Sequence, residues 1–121
     1  MEQYLMKAMH FKDTDIASKI MLTQDSVQQK AYGKKVADFD KKIWHNDVPG
    51  ILLKGLRAKF FQDILCKEFL RATGQRIIGE ANPTDGFFGI AIGLRDSKVW
   101  DVDKWGNNLL GKSLMEIRSE L

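Results

Sequence analysis

Two carboxylates, Glu80 and Asp85, stand on either side of an Asn82-Pro83 turn in the stretch IIGEANPTDGFFGIAIG, residues 77–93. An apolar, glycine-punctuated run follows them. Cleaving a glycosidic bond builds positive charge on the sugar, and a carboxylate held near the anomeric carbon stabilises that charge or activates water. Aromatic rings stack on bases, while Lys, Arg and Asn hold phosphates and hydroxyls. A loop on a rigid scaffold is a usual place for such chemistry. The same residues also suit a plain hairpin in which Asp and Asn serve only the turn. Local sequence leaves both readings open.

Other chemistries lack their residues. No phosphate-binding Gly-Lys-Ser/Thr loop is present, and Gly86, Gly89 and Gly93 lack dinucleotide-fold spacing. His10 and His45 have no neighbours in sequence at metal-ligand spacing, and no nucleophile elbow occurs. Cys66 is the only cysteine, which excludes an internal disulfide and a multi-cysteine zinc site and leaves it a packing role within ILCKEFL. Neither metal nor cofactor is called for.

At 121 residues the chain is expected to be one domain, residues 1–121, with enough surface to bury a core. No apolar run approaches the roughly 20 residues that span a bilayer, and no secretory signal opens the chain. No membrane association and a cytoplasmic setting are expected. The net charge of +3 comes from scattered residues, among them Lys34, Lys35, Lys41, Lys42, Arg57, Lys59, Arg71 and Arg76. That distribution fits a ligand carrying phosphates better than a long nucleic-acid track.

Periodicity and capping residues divide the remainder into helices. One is predicted over Glu2 to Phe11, and Asp13-Thr14-Asp15 caps a short one through Ile16, Ile20 and Met21. Asp25 or Ser26 caps a third toward Val36, where Gly33 ends the helix or marks close approach of backbone to a ligand. A turn to Trp44 closes at His45-Asn46-Asp47, and Pro49 opens a new helix to about Gln62. Asp63 starts another through Leu65, Phe69 and Leu70, ending at Thr73-Gly74. These two are expected to form a helical hairpin at the heart of the core. Ile77-Ile78 and Phe87 to Ile92 predict two short strands flanking the Asn82-to-Gly86 turn. Leu94 to Trp105 is irregular, with Trp100 and Trp105 as anchors. A turn at Gly106-Asn107-Asn108 then leads into a final helix with Leu110, Leu114 and Ile117 on one side. The expected class is α+β, mainly α: a compact single-domain helical fold with a small β element.

The order of short motifs is more specific than any one of them. KAxxFxD (Lys7, Ala8, Phe11, Asp13) is followed by Gly33, Trp44, LRAKF ending at Phe60, LRATG, the Glu80–Asp85 loop with Gly89, and GxNxLGxxLMExR from Gly106 to Arg118. This order resembles the NADAR family, the YbiA-like N-glycosidases, across essentially the whole chain. The resemblance implies a compact, mostly helical α+β domain that hydrolyses N-glycosidic bonds without a metal. Its substrates would be phosphoribosylamino intermediates of riboflavin biosynthesis or ADP-ribose attached to guanine, which adds ADP-ribosylated nucleic acid to the expected partners.

Carried over position by position, the resemblance implies a site of Lys7, Trp44, Lys59, Glu80, Asp85 and Asn108. Asp85 would serve the anomeric centre, with Glu2 or Glu80 assisting. Lys7 and Lys59 would neutralise phosphate, Trp44 would stack on a base, and Phe88, Trp105 and Asn108 complete the substrate-binding set. Structural roles stay open beside these: Lys59 flanking the core beside Phe60, Trp44 as a core anchor, Asn108 as a helix cap. Two departures from the family pattern are visible. A segment resembling FSNFYP is expected to be missing before the first helix. Glu2 lies five residues before Lys7 where the family has seven, which on a regular helix separates the two by about 140°. Phe88 also stands where the family usually has Trp, keeping the aromatic face and losing the indole donor. The alternative reading is a non-catalytic ADP-ribose or nucleotide-binding module, or an incomplete remnant of the enzyme; a third is a small nucleic-acid-binding protein.

Overall fold

Side-chain caps set the N-terminal helices in the computed structural model, which describes residues 2–121 apart from the side chain of Glu2. The assisting role expected of Glu2 therefore lies outside the described residues. Helix α1 covers Glu2–His10, α2 Thr14–Leu22 and α3 Ser26–Gly33. Asp13 caps α2, as expected, by accepting the Ile16 amide at 3.1 Å, and its second oxygen accepts the Ala37 amide at 2.9 Å. Asp25 caps α3 through the Val27 amide at 3.0 Å. Ala8, Ile16, Ile20 and Val36 are buried together, with Tyr4, Leu5 and Phe11 packed against them. Gly33 is the point of close approach: a Cβ there would meet the Tyr4 ring at 2.5 Å, so the glycine answers to a side chain of the same unit.

Helix α4 is a single element, Lys41–Gln62, where two were expected. Pro49 lies inside it and does not start it. Its ring removes one donor to the carbonyl four residues back, and buried Trp44, Val48 and Leu52 keep the helix going across that gap. The chain divides within α4 into two compact units, Met1–Ile51 and Leu52–Leu121.

The second unit holds α5, Ile64–Ala72, two single 3₁₀ turns at Ser97–Trp100 and Val102–Lys104, and α6, Leu109–Ser119. Asp63 caps α5 at the Leu65 and Cys66 amides, and Gly74 takes the left-handed conformation that closes it, φ +62°. Arg118 ties α6 to the end of α5, donating to the Thr73 hydroxyl at 2.9 Å and the Arg76 carbonyl at 2.8 Å. Arg57 and Glu120 form a two-bond pair at 2.9 and 2.7 Å.

Two expectations for this unit are overturned. Helix α5 does not put Leu65 and Phe69 into a core; they are 80% and 79% exposed, and Leu70 is the buried residue. Leu65 and Phe69 share a face, and Leu70 points about 140° away from Leu65 around the axis. The small β element is also absent: no described residue belongs to a strand, so the domain is helical with irregular connections. The reason lies in where the main-chain carbonyls go. Those of residues 86–90 all accept amides from residues 106–110, at 2.7–3.0 Å, leaving only the Ile90 amide to reach back to Glu80. That one bond, to a residue outside 77–78, does not make a ladder.

Candidate functional site

Asp85 sits at the start of the irregular loop, half-buried, with one carboxylate oxygen accepting two main-chain amides, Phe87 at 3.0 Å and Phe88 at 2.9 Å. The Ala91 amide closes the loop onto the Asp85 carbonyl at 3.0 Å. Two amide donors on one oxygen fix the carboxylate's direction. Gly89 lets the chain fold this tightly, since a Cβ there would lie 2.8 Å from the Glu80 carbonyl oxygen and 2.9 Å from that of Asp85. Behind the carboxylate, Phe87 and Phe88 pack edge to face with centroids 5.1 Å apart.

Asn108 holds the same region from below. It is 3% exposed and left-handed, φ +52°, at the entry to α6. Its side chain does not cap that helix. The oxygen accepts the Glu80 amide at 3.1 Å and the nitrogen donates to the Ile78 carbonyl at 2.9 Å. Both ends of the amide are engaged inside the fold, which gives Asn108 a positioning role on the 78–80 segment. The first amides of α6, those of Leu109 and Leu110, which a helix cannot satisfy internally, go to the Phe87 and Phe88 carbonyls. The loop carrying Asp85 is thus fastened to a helix start and to an extended segment at once. Glu80 contributes main-chain groups to this network, and its side chain is exposed.

Successive side chains of residues 77–81 alternate between two faces. Ile77, Gly79 and Ala81 line a half-open apolar cleft of about 380 Å³ whose other walls include Ile90, Trp100 and Trp105. The Trp105 indole donates to the Val99 carbonyl at 3.0 Å and lies against Gly79, where a Cβ would meet the ring at 2.7 Å. Within this unit the fold links Asp85, Phe88, Asn108 and the Glu80 backbone, and sets the Trp105 cleft beside them through Ile90. Lys59 is exposed on α4.

The first unit places its two expected residues in a row of rings. The Lys7 ammonium donates to the Gly33 carbonyl at 2.7 Å and stands 4.0 Å from the centroid of the Phe39 ring. Burial lowers its pKa from the ordinary lysine value. Phe39 meets Phe11 at 5.3 Å and Phe11 meets Trp44 at 6.3 Å between centroids. Trp44, 4% exposed, acts as a core anchor and not as an open stacking face. His10 lies 5.8 Å from Trp44 and pairs through Nε2 with Asp47 at 2.9 Å. Asn46 and then His10 hold the Asp47 carboxyl below its usual pKa. Thirty-seven residues separate His10 from Asp47, and no local pattern signals such a pair. Among the described residues no group of three or more His, Cys, Asp or Glu side chains could hold a metal ion, and no helix is long and apolar enough to cross a membrane.

Residues 1–121 match the family model of the NADAR domain. The chain belongs to the NADAR domain family. An N-glycosidase of Acanthamoeba polyphaga mimivirus is 38% identical over 98% of this NADAR chain and 72% of its own length. Protein irg-1 of Caenorhabditis elegans is 32% identical over 99% of the chain and 59% of its own. A riboflavin biosynthesis protein of Vibrio vulnificus (strain YJ016) is 24% identical over 98% of the chain, which spans 30% of that protein.

Proposed function

We propose that this NADAR domain is an N-glycosidase that hydrolyses the bond between a base and a phosphorylated ribosyl or ADP-ribosyl group, with Asp85 as the reactive carboxylate. One observation carries the reading. Asp85 has one oxygen fixed by the Phe87 and Phe88 amides, on a loop fastened to α6. Family membership and the similarity to a viral N-glycosidase support the reaction class.

As the C1′–N bond breaks, the bonding electrons leave with the base and the sugar becomes an oxocarbenium ion. The Asp85 carboxylate stabilises that cation and accepts a proton from the water that adds to C1′; the base gains a proton as it departs. Holding the carboxylate in advance means that no reorganisation is needed when charge develops. A riboflavin-pathway intermediate and ADP-ribosylated guanine both fit this chemistry.

The test is turnover of both substrate classes by the wild-type chain and by Asp85→Asn. Asn keeps an oxygen that can accept the same two amides while removing the charge. Loss of turnover by roughly 10²- to 10⁴-fold in a folded variant is expected, and undiminished turnover would sink the assignment.

A further inference from the structure

The apolar cleft beside the Asp85 loop has one feature that its packing role does not explain. Trp100 borders it and is 88% exposed, leaving a large ring in water next to a ready-made apolar wall. Trp105 opposite is fixed by its bond to the Val99 carbonyl, and the bare backbone of Gly79 makes room for its ring. The volume of about 380 Å³ falls within the roughly 300–1,000 Å³ typical of small-molecule sites.

The walls narrow the occupant. All nine lining residues are apolar or glycine, two of them indoles. An apolar slot with indole walls complements a flat aromatic ring. One wall of the slot is tied to the Asp85 loop by main-chain bonds. Ile90 lines it and bonds to the Glu80 carbonyl, and the next residue, Ala91, bonds to the Asp85 carbonyl.

We propose that this cleft receives the planar base of the N-glycoside, stacked on Trp100 against the Trp105 side. The identity of the occupant rests on the N-glycosidase reading above. Trp100 is then a specificity residue, discriminating glycosides with a heteroaromatic base from bare sugar phosphates.

The experiment uses the full chain carrying Asp85→Asn and measures binding calorimetrically with two probes, guanosine 5′-monophosphate and ribose 5-phosphate. The nucleotide should bind at least tenfold more tightly than the sugar phosphate. Adding Trp100→Ala should weaken nucleotide binding by roughly 5- to 150-fold, the range of one stacking contact, and leave ribose 5-phosphate unchanged. Ala81→Phe, which fills the slot, should have the same selective effect. Equal binding of the two probes, binding of neither, or nucleotide binding indifferent to both variants overturns the proposal. The two readings fail separately. A cleft variant without effect leaves the turnover loss in Asp85→Asn standing, whereas full turnover by Asp85→Asn with Trp100-dependent binding removes the catalytic assignment alone.

Discussion

The buried amide of Asn108 clips an extended segment that has no strand partner, accepting from the Glu80 amide at 3.1 Å and donating to the Ile78 carbonyl at 2.9 Å. Residues 77–81 are thereby held straight enough to present the Trp105 cleft on one side. Removing the clip leaves two part-buried main-chain groups without partners, at about 1–3 kcal/mol each. Asn108→Ala should therefore lower unfolding free energy by about 2–4 kcal/mol in a denaturant titration. Asn108→Gly separates two causes, because glycine accepts φ +52° freely while losing the clip. A stable glycine variant would show that the left-handed backbone, and not the side chain, matters here.

Gly111, inside α6, reverses an ordinary rule. Ala at an exposed helix position is about 1 kcal/mol better than Gly. Here a Cβ would run into the Ile78 carbonyl and the Asn108 amide. Gly111→Ala should destabilise by about 1–3 kcal/mol through overpacking. A thermal melt that rises would contradict the close approach.

Asp85 offers a contrast that activity alone does not. Asp85→Asn keeps an acceptor for the Phe87 and Phe88 amides, and Asp85→Ala removes it. Amide exchange at residues 87 and 88 should stay near wild type in the first variant and accelerate in the second. Equal acceleration in both would mean that the charge, not the acceptor geometry, holds the turn.

The acid limb of stability should trace to a few carboxylates. Hydrogen bonding to Arg57 holds Glu120 below its usual pKa, and the Cys66 amide does the same for the Asp63 cap. A depressed folded pKa adds stability above the unfolded pKa, about 4, and that contribution is lost as pH falls through the folded value. The melting temperature should drop below about pH 4. Glu120→Gln combined with Asp63→Asn, which preserves a capping oxygen, should flatten that drop. For the exposed Arg57–Glu120 pair, added salt should shrink the effect.

Much of the helical scaffold was legible because helix ends are local events. Asp13, Asp25 and Asp63 announce starts, and Gly74 announces an end, through groups within a few residues of one another. The order of motifs likewise carried the family. Pro49 misled because packing around α4 outweighed a local breaker. The predicted hairpin failed for a different reason. Residues 77–78 and 87–92 have strand-like composition, but the carbonyls of residues 87–90 accept amides from residues 106–110, further along the chain. Propensity reports what a segment tolerates, and the partner decides what it becomes. The same holds for Asn108, His10 and Trp44. Sequence marked Asn108 and Trp44 as polar and aromatic candidates, and only the tertiary structure put the Asn108 amide onto Glu80 and Ile78, His10 onto Asp47, and Trp44 into the core. Sequence by itself determined the capped helix starts at Asp13, Asp25 and Asp63, and the family. Tertiary structure decided which side chains remain available to a ligand, because a buried polar group must first satisfy the fold around it.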